Sequence, residues 1–439
     1  MKKLSLGLGL FLGAWMAACS AASDEAPGSE PARDDELNES KALGMTDVTI
    51  LYPSPDKWEF VDDLMGPTSE DARGELLPAS IFQKVAELPS PQMVGNDGNM
   101  IDAPTKKVFA KWADNFSYLR FIGIRLDPCF GESTNLGANT CMPTIRLVGQ
   151  FFFPRVQNAN NPILDSGAAV HAFYKISQAD FTALAKEMLA LRVSTGLPLQ
   201  KGLVSQQQDG VHPTLKEQGL RGAYATQLKA IILKYAGEQT LERIAFDVQD
   251  RAGAGGGYYG NNQGNPDTRW IFGGFSYRGG ALQPMQIGSL GDYTGLQTID
   301  SFPSARGDKN LVTVSPAITV QDNILGVFNP VKQPNGGMAF TDQEKGREAA
   351  RKLQNPGNWT ASTADCVSCH MAKHAFLGLR EVPPSDLDFK SYTYRLEATN
   401  AFFGPFRMFG WDQGRPVISQ RVVNETANTL EYLNTKVLR

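Results

Sequence analysis

The sequence predicts an α+β domain followed by a small all-α domain. Three observations lead there. Short runs rich in β-branched and aromatic residues cluster early in the chain, at 48–52, 119–126, 144–153 and 170–176. Two stretches with helical periodicity come next, and strand patterns return at 241–248, 270–277 and 282–287. After a Pro/Gly-rich stretch at 327–338, the remaining pattern is helical.

Each element has its own justification. In 178–192, Phe181, Leu184, Met188 and Leu191 share one helical face. In 214–235, Leu220, Tyr224, Leu228, Ile231 and Ile232 do the same, predicting one long helix. Strands first, helices next and strands again fit α+β better than a regular βαβ winding. This domain is expected over 45–330. Pro330, Pro334, Gly336 and Gly337 mark a linker into a last domain over 336–439. Thr341-Asp342-Gln343-Glu344 is a capping box that opens a helix there. Gly346, Ala349, Ala350 and Leu353 share one face of it, small enough for another helix to approach closely. A terminal helix is expected over 419–438, with Val423, Ala427, Leu430, Leu433 and Val437 on its apolar side.

Gly255, Gly257 and Gly260 match the dinucleotide fingerprint literally. That fingerprint needs a helix opening at its third glycine. Asn261 to Pro266 follow instead, so 251–266 reads as a surface loop. The net charge of −4 carries no basic excess, which argues against a nucleic-acid partner.

The start of the chain reads as an export signal. Lys2 and Lys3 are followed by an apolar run over 4–15 and then by Met16-Ala17-Ala18-Cys19. The run is shorter than the roughly 20 residues of a membrane span. An ordinary signal gives no reason for a cysteine at the cleavage point. The segment resembles a bacterial lipoprotein signal over 1–19, which implies lipidation of Cys19. Ser20 in place of Asp implies the outer membrane in that family, hence its periplasmic face. Residues 20–44 are acidic, Pro/Ser/Glu-rich and poor in large apolar groups, as a flexible linker would be.

Five cysteines remain to be sorted. Cys19 goes to lipid. Cys129 and Cys141 lie twelve positions apart in an exported chain, where oxidation favours pairing. A disulfide there would stabilise by about 3 kcal/mol on the chain-entropy model; two buried free thiols are the other reading. Cys366-Val367-Ser368-Cys369-His370 is a C-x-x-C-H motif. Two thiols one helical turn apart meet the two vinyl groups of a haem, and the following imidazole lies under the iron. A redox dithiol or half a zinc site would also use C-x-x-C, but zinc wants two further ligands nearby and only His374 is at hand.

With the export signal, this motif resembles bacterial c-type cytochromes. Helix, C-x-x-C-H, loop and terminal helix resemble the class I cytochrome c layout over 336–439. The resemblance implies one covalent haem c on Cys366 and Cys369, with His370 as proximal ligand. It also implies a sixth ligand from the later loop, which here is Met408, set among Phe402, Phe403, Phe406, Phe409 and Trp411. A core methionine among aromatics is the other reading of Met408. Met371 and His374 follow His370 too closely to reach the opposite face of the ring. His171 or His212 would ligate only if the large domain packs over the haem.

Two functions follow. One is electron transfer by a membrane-anchored carrier with a redox protein partner. The alternative is a haem enzyme or small-ligand sensor, its five-coordinate iron closed over by the large domain. Dihaem peroxidases need a second C-x-x-C-H, and this chain has one. Nothing in 45–330 forms a recognisable catalytic constellation, so a partner-binding role for that domain is also open.

Overall fold

The computed structural model describes residues 41–87, 92–94, 100–102, 114–131, 141–155, 158–164, 167–200, 210–250, 268–278, 280–284, 296–303, 310–315, 331–332, 338–339, 356, 370, 407–412 and 415–439. The described residues form an α+β arrangement around one antiparallel sheet. Its main path has eight strands: β1 (Thr49–Leu51), β2 (Leu119–Gly131), β3 (Cys141–Arg155), β4 (Ala168–Lys175), β5 (Leu241–Asp250), β6 (Thr268–Arg278), β7 (Leu296–Pro303) and β8 (Asn310–Ser315). Spatial order equals chain order, and every neighbouring pair is antiparallel. Two short strands extend the sheet: Asn158–Leu164 pairs with β3, and Ala281–Pro284 pairs with β6.

Strand alternation divides the side chains between two faces. Ile145 and Leu147 of β3, Val170, Ala172 and Tyr174 of β4, and Ile244, Phe246 and Val248 of β5 share the first face. They join one buried cluster with Phe181, Leu184 and Met188 of helix α1 (Gln178–Ser194) and Leu228 and Ile232 of helix α2 (Ala223–Tyr235). The Ser177 hydroxyl caps α1 by accepting from the Asp180 amide at 3.0 Å.

The long helix expected over 214–235 is two helices. Pro213–Gln218 ends at Gly219, whose φ of 72° lies where only glycine is unstrained, and α2 begins at Ala223. The apolar periodicity survives the break because both pieces rest on the same core. The strand expected over 48–52 is reduced to β1, since Met45–Val48 forms a helical turn. The strand expected over 282–287 is seen as Ala281–Pro284.

Arg125, Arg146, His171, Asp247 and Phe272 point to the second face. Residues from the end of the chain are packed there. The hairpin Phe409–Asp412/Arg415–Ile418 leads to helix α3 (Gln420–Tyr432), which continues as a π-helical turn to Val437. A Cβ on Gly123 would overlap the Phe409 ring, so glycine is required where the hairpin meets β2. Gln150 holds the Trp411 backbone, and the Trp411 indole N–H donates to the Tyr52 carbonyl at 3.0 Å. On α3, Thr426 bonds Thr49 at 2.6 Å, and Glu425 accepts from Arg125 at 2.5 Å. Asn434 exchanges two hydrogen bonds with the Leu43 backbone, at 2.9 and 3.0 Å.

The terminal helix expected over 419–438 is therefore present, and its buried side lies on the α+β core. The expected all-α domain is not shown: 340–355, 357–369 and 371–406, which would carry its first helix and loop, lie outside the described residues. Among the described residues, no helix is long and apolar enough to cross a membrane.

Candidate functional site

His370 is the described member of the C-x-x-C-H motif. Its ring lies 4.6 Å from that of Phe272, inclined at 44°. Phe272 belongs to β6 and faces Asp247 of β5 in register. Asp247 sits diagonally across from His171 of β4, because Ala245 is the direct partner of His171. Three adjacent strands thus gather His171, Asp247 and Phe272 on the second face, and His370 arrives on top of them.

Asp247 is a buried carboxylate, 2% exposed, and neither oxygen accepts a well-formed hydrogen bond. Its charge is balanced at ion-pair range. His171 Nε2 lies 3.5 Å from Oδ1, and Arg407 Nη1 lies 3.9 Å from Oδ2. Burial alone would push the Asp247 carboxyl up; Arg407, His171 and His370 outweigh it and hold it below its ordinary value. Burial likewise lowers His171, and Asp247 offsets only part of that. Arg407 is thus the main counter-charge of the Asp247 carboxylate. The other nitrogen of His171, Nδ1, is buried with no hydrogen-bond partner. Trp270 and Phe272 stack beside the pair with ring centroids 6.1 Å apart, both fully buried.

Asp247, Arg407 and Phe272 were not anticipated from the sequence, and no motif links them. The legible trace is parity: His171 and Asp247 are polar interruptions in apolar strands.

The other expected residues are distributed as follows. Met408 is half-buried at the rim of the main core, and its carbonyl accepts from the Ser419 amide at 2.8 Å. His212 lies elsewhere. It caps Pro213–Gln218, its Nε2 lies 2.9 Å from the Tyr224 hydroxyl, and its ring stacks on Tyr224 at 4.6 Å. Asp47 approaches it at 3.7 Å. Every polar atom of that ring is engaged, as in a structural histidine.

Cys129 and Cys141 are at the paired ends of β2 and β3, where Cys141 faces Gly131 in register. Their side chains lie outside the described residues, as do Cys19, Cys366, Cys369, Met371 and His374. Among the described residues, no group of three or more His, Cys, Asp or Glu could hold a metal ion.

His370 is half-buried, whereas Phe272, Trp270, Asp247 and Arg407 beneath it are already covered by protein. Comparisons with family models, curated proteins and solved structures return no match to this chain.

Proposed function

We propose that this chain is an exported c-type cytochrome that binds one covalent haem and passes electrons to a redox protein partner. Cys366 and Cys369 form the thioethers, and His370 ligates the iron. Haem iron, when bound, supplies the one-electron ferrous–ferric couple. The observation that carries the reading is the C-x-x-C-H sequence whose histidine rests on Phe272 beside the buried Asp247. In this reading Phe272 would back the His370 ring. Asp247 and Arg407 fix the local charge. Met408, from the family resemblance, would take the sixth position.

Residues 336–439 hold the haem as a cytochrome c-like unit. Cys19 anchors the chain by lipid at the periplasmic face of the outer membrane, with 20–44 as the tether. Cys129 and Cys141 pair as a disulfide in that compartment.

Mass spectrometry of the matured protein is the direct test. The peptide around Ser368 should carry an added tetrapyrrole, lost in the double variant Cys366→Ala/Cys369→Ala; an unmodified peptide refutes the reading. His370→Ala should alter the haem spectrum while attachment persists. Cys19→Ser should release the protein from the membrane fraction, and retention there would overturn the anchor.

One observation favours the second reading, a haem enzyme or small-ligand sensor. The His171–Asp247–Arg407 cluster beside His370 could handle protons at an open iron. A ferrous haem that readily binds carbon monoxide, or a high-spin ferric haem that shifts on adding cyanide, would select it over the carrier.

A further inference from the structure

We draw no further inference here: the strongest candidate, the polar cavity between the loop after α1 and the start of the short helix at Pro213, lined by Asp47, Arg192, His212 and Tyr224, has room for no more than a water molecule and belongs to the His212 cluster already described.

Discussion

The side chain of Gln150 pairs with the backbone of Trp411 as a neighbouring strand would. Its amide nitrogen donates to the Trp411 carbonyl at 2.9 Å, and its amide oxygen accepts from the Trp411 N–H at 2.8 Å. Gln150 is fully buried, so neither bond exchanges readily with water. It clamps the C-terminal hairpin to the second face of the sheet.

Gln150→Leu should therefore destabilise the fold. It leaves two buried backbone groups unpaired, each worth about 1–3 kcal/mol. Urea unfolding should show the loss as a lower midpoint. Because the clamp holds Arg407 near Asp247, His171 should also become more accessible to diethyl pyrocarbonate. An unchanged midpoint would show that the hairpin is held by its apolar contacts alone.

Gly123→Ala should cost about 1–3 kcal/mol, as overpacking does. The new methyl has no room beside Phe409. Pairing it with Phe409→Ala makes a double-mutant cycle. The two effects should be strongly non-additive, since the second change removes the clash created by the first. Additive losses would show that the two positions do not share a contact in solution.

Stability should fall as pH falls. His171 has a lowered value in the fold and an ordinary one, near 6.5, in the unfolded chain. Below about pH 6.5 the unfolded state takes up that proton first, so stability begins to drop there. Glu425 and Asp247 are also held low. Burial pushes Glu425 up, but Arg125, Arg421 and Arg146 outweigh it. Their stabilisation is complete above about pH 4, the ordinary carboxylate range, and is lost as pH falls further. A thermal melt series should show a gentle decline from about pH 6.5 and a steeper one from about pH 4. Glu425→Gln should flatten the steep limb; an unchanged limb would assign it to other carboxylates.

Tyr224→Phe should cost about 1 kcal/mol by removing the hydroxyl from His212. Being remote from His370, it should leave the haem spectrum unaltered. A spectral change would contradict the structural role of the His212 cluster.

Much of this fold was legible because hydrophobic pattern and burial coincide. The runs around Phe121, Leu147, Val170 and Phe246 are strands in the structure, and Phe181 to Leu191 is the buried side of α1. The break at Gly219 was hidden because α2 and the short helix before it bury residues in one continuous core. β7 was missed because Asp300, Ser301 and Pro303 interrupt any alternation; the pairing with β6 and β8, not local preference, makes it a strand. Of the site, the C-x-x-C-H spacing was legible because its residues are adjacent in the chain, and His370 is the member of it that the structure describes. The His171–Asp247–Arg407 group was not legible. Its members come from β4, β5 and the segment before the C-terminal hairpin, and only the register of the sheet brings them together.

The tie between Leu43 and Asn434 constrains the order in which the chain can mature. The partners are 391 positions apart, so their bonds close a loop that spans most of the chain. Contacts of such separation form late, after the entropy of closing the loop has been met. During synthesis the first segment emerges well before the last, and its half of the core waits unsealed. In that interval the second face of the sheet, where the C-terminal hairpin later packs, stays uncovered.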